Sequence, residues 1–405
     1  MSAPVSTNGG TRRRLEHVDA MRPVKQFAVI GTHAMQFFAP AATTVLWKSG
    51  LIFTRFSRDA FLFVSACMLA YSYRTAARVV LRSYVWRRFM SVGAPYLAWT
   101  VIYWLWTACH PIHGFPLYAL HTNELTWSAL VGFTRWGYFH LYFLLILMQF
   151  YVVFPALLWV IRRFPGLRVH LLWSSLLIQI LIDLANRGRW WGFHMSFIVE
   201  TRVLISYPFY LVAGVVVALN FEEFHAWVVR RARPIVLLTL VAFAGASATN
   251  LFYGSHLYRT YLLIGKNPFG ALAIPYDIGG VLCVYLLGVY LVDSRRHWRT
   301  RRLVAVGSDN AYGIYLSQMI FIPIAFRFVE PTHGRHLFPS GIACVIVILL
   351  TYAAGFILTG VIARTPLAKV VAGRSRATWR SLFPRSTPES AHGQLGNGPF
   401  DNASA

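Results

Sequence analysis

The chain is 405 residues long, with 57% hydrophobic and 13% charged residues, about half the charged share of ordinary soluble domains. This composition excludes a soluble globular protein. The net charge of +24 would suggest nucleic-acid binding in a soluble protein. Here the arginines flank apolar runs, where membrane topology and anionic lipid account for them. We therefore predict a lipid bilayer as a partner and no nucleic acid.

Ten predominantly apolar runs follow one another along the sequence. Runs of about 20 residues cross a hydrocarbon core as helices, because backbone groups in lipid must find their hydrogen bonds within the segment. The pattern predicts an all-α, polytopic membrane protein with about ten transmembrane helices. The predicted spans are approximately residues 24–46, 52–73, 88–108, 139–161, 169–185, 201–220, 234–252, 276–293, 309–328 and 339–362.

The segments outside the spans predict the domain limits and the orientation. Residues 1–14 and 366–405 are predicted to be a disordered leader and a mostly disordered tail around a membrane domain at 15–365. Of the 38 lysines and arginines, 27 lie in the amino-terminal segment, the even-numbered connections and the tail, and 11 lie on the other side. By the positive-inside rule, we expect a multi-pass protein of the cell membrane with both termini in the cytoplasm.

The first apolar run carries an arginine at its start and a histidine inside it. Arg22 and His33 are eleven residues apart, so on a helix they share one face and lie roughly 16 Å apart along the axis. With Arg22 at the interface, His33 would lie near the middle of a core about 30 Å thick. A histidine at that depth is a candidate site residue. The alternative is a histidine that only hydrogen-bonds neighbouring helices together.

The second run carries a carboxylate, Asp59, in its predicted outer half. Because this span runs back toward the cytoplasm, Asp59 could reach the depth of His33, where a carboxylate would fix the tautomer of the imidazole and raise its basicity. The alternative is that Asp59 pairs with Arg55, four residues earlier on the same helix face.

The connection after the second run holds five arginines between residues 74 and 88, including Arg87 and Arg88. They could be ordinary topology charges. They could also bind phosphates, because the guanidinium fork suits phosphate geometry. Arg22 is predicted to face the same compartment, so a phosphate-rich donor entering from the cytoplasm would meet basic residues from two spans.

The fourth run opens on the outer side with His140 and Tyr142. These residues could belong to an interfacial aromatic belt, or they could bind a hydroxylated acceptor. Asp277 lies at another predicted outer span end, where partial solvation lowers the cost of a charge.

Neither the cysteines nor the histidines follow a regular metal-ligand spacing, so we predict no metal site. His110, His113 and His121 lie together in the longest predicted outer connection without such a pattern. From the residues alone, a buried histidine and aspartate also fit a transporter or exporter that uses them as a proton relay.

Five segments, taken together, resemble the acyltransferase 3 family of bacterial integral-membrane O-acyltransferases. The resemblance covers residues 15–365 in order. The segments are Val18–Arg22 with His33 (an Arg-x10-His spacing), Arg58–Ser65, Trp86–Arg88 with Pro95 and Tyr96, His140–Tyr142, and Tyr312–Leu316. The chain departs from the family pattern at Ala66, which replaces a glycine, at Ser91, where an arginine is common, and at Gln318, where a histidine is common.

The resemblance implies an acyltransferase that moves an acyl group, commonly acetyl from acetyl-CoA, to a hydroxyl of a cell-surface glycan or a small molecule. It implies His33 as general base or transient acyl carrier, with Asp59 orienting it. Arg22, Arg87 and Arg88 would bind the phosphates of acyl-CoA, and His140 and Tyr142 the acceptor. Acyl-CoA would be a substrate, and no permanently bound cofactor is expected.

Overall fold

The computed structural model describes residues 15–38, 45–76, 79–109, 126–188, 201–252, 270–293, 298–330, 338–374 and 376. Within these ranges every regular element is helical and no strand occurs. The α-helices are α1 Glu16–Phe37, α2 Val45–Tyr73, α3 Leu81–Arg88, α4 Ala94–Cys109, α5 Trp127–Trp136, α6 Tyr142–Arg163, α7 Leu167–Gly188, α8 Pro208–Leu219, α9 Phe221–Arg230, α10 Ala232–Phe252, α11 Gly270–Asp293, α12 Trp298–Val329, α13 Ser340–Ile362 and α14 Ala368–Val371.

The all-α membrane fold is confirmed, whereas the count of ten spans stays a prediction. Four described helices, α6, α11, α12 and α13, are long and apolar enough to cross a membrane. Helices α8 and α9, which bend by 104° at their junction, add a fifth if they form one span. Helices α7 and α10 contain shorter apolar stretches, 167–182 and 232–248. Each of the ten predicted runs overlaps a described helix.

Helix α1 is central in the fold because it packs against α2, α11, α12 and α13. It begins at Glu16, earlier than predicted, and continues through Pro23. It ends at Phe37, just before Pro40, which lacks an amide hydrogen and disfavours a helical residue before it. The predicted first span, 24–46, therefore extends past the end of α1 to the start of α2 at Val45.

Close contacts set the register of α1 and α2. A β-carbon on Gly31 would lie 3.5 Å from Cγ2 of Thr54, and one on Gly50 would lie 3.2 Å from Sδ of Met35. Both pairs belong to one antiparallel register, in which His33 is level with about residue 52 of α2. Helix α8 packs against the other side of α2 at Gly214, where an added β-carbon would stand 2.6 Å from the carbonyl oxygen of Phe63.

The helical segment at the end of the arginine-rich connection is continuous but contains a π-helical turn. Helix α3 passes through a π-helical turn, Phe89–Gly93, into α4, and such turns often occur at functional sites. The start of the tail, which was predicted to be mostly disordered, packs onto this region as helix α14. Trp99 of α4 donates a hydrogen bond from its indole N–H to the carbonyl of Val371 at 2.8 Å. Residues 1–14 and 377–405 lie outside the described residues.

Candidate active site

His33 and His140 lie side by side in the structure. Their ring centroids are 6.2 Å apart, and the rings are inclined by 62°. His33 is half-buried on α1, and the ring of Phe139 packs edge-on against it at 4.9 Å. Sequence reasoning treated the two histidines separately, and the fold brings them together.

The turn before α6 presents His140 to His33. Gly137 has a φ of +74°, and a β-carbon there would stand 2.7 Å from the amide nitrogen of Tyr142. Phe139, with a φ of +41°, is the one non-glycine residue with a positive φ in the described chain. A bulky residue in that region costs of order 1–3 kcal/mol, and such strain clusters at functional sites. The Tyr315 hydroxyl anchors the turn by donating a 2.5 Å hydrogen bond to the carbonyl of His140.

The imidazole of His140 is fully buried between aromatic rings of two helices. Tyr103 of α4 and Tyr315 of α12 pack edge-on against it, at 5.6 Å and 4.9 Å between centroids. Among the described residues, neither of its nitrogens has a hydrogen-bond partner, and neither does Nδ1 of His33. Buried polar atoms are normally paired. None of the three nitrogens makes a well-formed hydrogen bond within the described residues, although the backbone at Tyr315 and Leu316 lies near the His140 ring.

Asp59 does not orient His33 in this structure, contrary to the prediction. In the register of α1 and α2, Asp59 lies about seven residues, or about 10 Å, from the level of His33. Its carboxylate is fully buried and pairs with Arg58, with 3.1 Å between Oδ1 and Nε. The axial offset of two helices depends on their connection and packing, which the depth argument from sequence did not contain.

The alternative partner for Asp59, Arg55, pairs with a different carboxylate. Its Nε lies 3.0 Å from Oδ2 of Asp277 on α11. Asp277 is 1% exposed, so the expectation of a partly solvated outer span end is wrong for this residue. The two ion pairs place four charged side chains within the helix bundle.

Tyr142, predicted to bind acceptor, follows His140 at the start of α6. Its ring stacks on Phe143 with 4.3 Å between centroids. The guanidinium of Arg202 lies 5.3 Å from the centroid of the Tyr142 ring. The structure therefore places Tyr142 next to a cationic side chain, two residues after His140.

Gln318, at a position where the family often has histidine, pairs with α1. Its Oε1 accepts a 3.3 Å hydrogen bond from Nε2 of Gln26, and both side chains are fully buried. The other amide atoms of this pair, Oε1 of Gln26 and Nε2 of Gln318, have no partner among the described residues. Gln26, the member of this pair on α1, lies seven residues before His33.

The three arginines predicted to bind phosphate have different neighbours. Arg22 pairs with Asp19 at 3.5 Å on its own helix. Arg87 is exposed and donates to the hydroxyl of Tyr73 at 3.3 Å. Arg88 lies over the rings of Tyr84 and Tyr151, at 6.0 Å and 5.6 Å from their centroids.

Sequence reasoning missed several residues of this region. Tyr103 and Phe139 lie against the histidines and are identified by tertiary contacts alone, whereas Tyr315 lies in the segment Tyr312–Leu316 but was given no role. Lys25 was counted with the topology charges, yet it is 5% exposed. Its position in the apolar run, three residues after Arg22, was the signal in the sequence.

The family model for an acyltransferase domain, acyltransferase 3, matches residues 16–361. No curated protein and no solved structure matches the chain significantly. The matched region contains α1 to α13 and both histidines. The chain belongs to the acyltransferase 3 family, and it is a membrane acyltransferase that transfers groups other than amino-acyl groups.

Proposed function

We propose that this acyltransferase moves an acyl group, preferably acetyl, from acyl-CoA to a hydroxyl of a glycan or a small molecule at His33 and His140. The observation that carries the proposal is the pair of adjacent imidazoles, which have three unpaired nitrogens among the described residues. Family membership supplies the class of reaction. The donor, the acetyl group and the acceptor class are the proposed parts.

His33 acts as the general base in this proposal. Its neutral imidazole takes the proton of the acceptor hydroxyl while the oxygen attacks the thioester carbonyl. The carbon–sulfur bond then breaks, the ester forms, and the proton passes from His33 to the departing thiolate, so that atoms and charge balance. In the alternative route, His33 carries the acyl group between donor and acceptor.

His140 binds the acceptor hydroxyl beside His33, with Tyr142 at the edge of the same site. An imidazole nitrogen of His140 can accept or donate the hydrogen bond that orients the hydroxyl, because neither nitrogen makes a well-formed hydrogen bond to the described residues. Asp59 is assigned no role toward His33, since it is paired with Arg58. Holding the two reactants in line lowers the entropy cost of the reaction.

The donor enters from the cytoplasm, with both termini of the chain on that side. Arg22, Arg87 and Arg88 bind its phosphates through charge-assisted hydrogen bonds. The side chains of Arg87 and Arg88 rest on aromatic rings, which limits their rotamers and lowers the entropy lost on binding.

Acyl transfer in detergent solution tests the proposal. The purified protein is incubated with radiolabelled acetyl-CoA and pooled hydroxylated acceptors. We expect release of free coenzyme A that depends on acceptor, and label in a hydroxylamine-labile ester. Mass spectrometry of surface glycans and small metabolites, with and without the gene, then identifies the acceptor. Absence of label transfer from any acyl-CoA to any acceptor would overturn the proposal.

The same assay separates acyl transfer from transport. A transporter with a proton relay needs two compartments and a gradient, and detergent solution has neither. Turnover in detergent therefore supports direct acyl transfer.

A further inference from the structure

Lys25 is a buried lysine in the described part of the chain. It is 5% exposed, and its ammonium lies 4.0 Å from the centroid of the Phe61 ring. Lysine is rarely buried unless it is paired with a negative charge. The ring face of Phe61 offers a weaker attraction than a carboxylate does.

The neighbours of Lys25 do not balance its charge. Within the described residues, the charged group that contributes to its electrostatic environment is Arg22, which has the same sign. Asp19 lies beside Arg22, 3.5 Å away, and Asp59 is paired with Arg58. Two basic side chains of α1 therefore share one region, and among the described residues the carboxylate beside them is that of Asp19.

The position of Lys25 along α1 matches the length of an acyl-CoA donor. Lys25 and Arg22 precede His33 by eight and eleven residues, or about 12 and 16 Å along the helix axis. In acyl-CoA, an extended arm of thirteen bonds joins the phosphate to the thioester sulfur, and at roughly 1.2 Å per bond it spans about 16 Å. With the thioester at His33, the phosphates reach the level of Lys25 and Arg22.

We propose that Lys25 binds a phosphate of the acyl donor next to Arg22, deep in the helix bundle. This inference rests on the proposed use of acyl-CoA. The bound phosphate supplies the negative charge that the described residues do not supply at this point. Lys25 is thereby a donor-binding residue in addition to the three arginines, and the contact recognises phosphate and not the acyl group.

Two donors, of which only one carries the phosphates and the adenosine of coenzyme A, test this assignment. In Lys25→Met the methionine keeps much of the length of the side chain and removes the charge. We expect a rise in KM for acetyl-CoA of about 10- to 100-fold, the effect of losing one charge-assisted hydrogen bond. With S-acetylpantetheine, which has no phosphate, kcat/KM should be unchanged. Lys25→Arg should retain part of the acetyl-CoA affinity, and KM for the acceptor should not change.

A binding measurement gives a readout that needs no turnover. Coenzyme A alone should raise the melting temperature of the wild-type protein and of Lys369→Met, but should raise that of Lys25→Met much less. Lys369 is an exposed lysine of α14, so this control removes the same charge. Removal of a buried charge should not lower the melting temperature of unliganded Lys25→Met.

The possible failures are distinguishable. If the wild-type protein neither binds coenzyme A nor uses acetyl-CoA, the proposed donor is wrong and this inference falls with it. If the wild-type protein uses acetyl-CoA and Lys25→Met keeps its KM, the inference alone is wrong. Equal losses of kcat/KM with acetyl-CoA and S-acetylpantetheine would make Lys25 a structural residue. A raised KM for the acceptor alone would mean that Lys25 binds a negatively charged group of the acceptor and not of the donor.

Discussion

The rings of His33 and His140 lie 6.2 Å apart, although 107 residues separate them in the sequence. One belongs to the central helix α1, and the other follows a turn with two positive φ angles. This relationship is the basis of the proposed reaction, in which one imidazole takes the proton and the other binds the hydroxyl.

Replacing His140 by phenylalanine should separate its chemistry from its packing. The ring fills a similar volume between Tyr103 and Tyr315 but cannot hydrogen-bond, so kcat/KM for the acceptor should fall about tenfold or more. The melting temperature should be unchanged or higher, because buried nitrogens without a protein partner are removed. The control is His170→Phe on α7, where the histidine is exposed. Full activity of His140→Phe would exclude a role in acceptor binding.

The turn before α6 should be intolerant of a side chain at Gly137. Gly137→Ala would place a β-carbon 2.7 Å from the amide nitrogen of Tyr142, and it would add strain of about 1–3 kcal/mol at a positive φ. We expect lower thermal stability and lower acyl transfer, because the turn carries His140. Gly341→Ala in α13, where an added β-carbon has nothing within 4 Å, should retain both properties. Equal behaviour of the two variants would contradict the positioning role of the turn.

Loss of a phosphate-binding arginine should raise KM for the acyl donor without lowering the amount of folded protein. Arg22→Ala and Arg88→Ala should each raise KM for acetyl-CoA by about 10- to 100-fold, the effect of one charge-assisted hydrogen bond. Steady-state kinetics at saturating acceptor provides the measurement. Arg163→Ala, at an exposed position of the predicted cytoplasmic surface, serves as the control. Unchanged KM in both variants would assign Arg22 and Arg88 to topology alone.

The pair of Arg55 and Asp277 should contribute to stability rather than to the reaction. Asp277→Asn leaves a buried guanidinium without its partner charge and should cost about 3–5 kcal/mol of unfolding free energy. The double variant Arg55→Met with Asp277→Asn should recover much of that loss. Thermal denaturation in detergent measures both. If Asp277→Asn has normal stability but no activity, Asp277 would instead take part in the reaction.

The sequence predicted the part of the site that lies on one helix. The spacing of Arg22 and His33 predicted that they lie on one face of a helix, because helical periodicity is a local property. The partner of His33 was not predicted, since the offset of α1 and α2 arises from contacts such as Gly31 with Thr54. His140 was identified as a candidate, but its contact with His33 depends on backbone angles at Gly137 and Phe139 that only the tertiary structure supports.

The membrane fold followed from composition, but the number of spans did not. Charges such as Lys25, Arg55, Arg58 and Asp59 lie inside α1 and α2, so length and hydropathy do not classify these helices as spans. Arg55, Arg58 and Asp59 are instead held in ion pairs within the helix bundle, with Asp277 as the partner of Arg55. The burial of Lys25 was not predicted, because a count of basic residues does not distinguish a buried lysine from one at the membrane surface.

The central claim is that His33 takes the proton of the acceptor hydroxyl. The most direct measurement is acyl transfer by purified His33→Gln, because glutamine keeps hydrogen-bonding capacity but cannot take a proton at neutral pH. We expect transfer to fall by about 10²–10⁴-fold or more, with a normal melting temperature and normal binding of coenzyme A. Full transfer by well-folded His33→Gln would contradict the account and leave His33 as a hydrogen-bonding contact between helices.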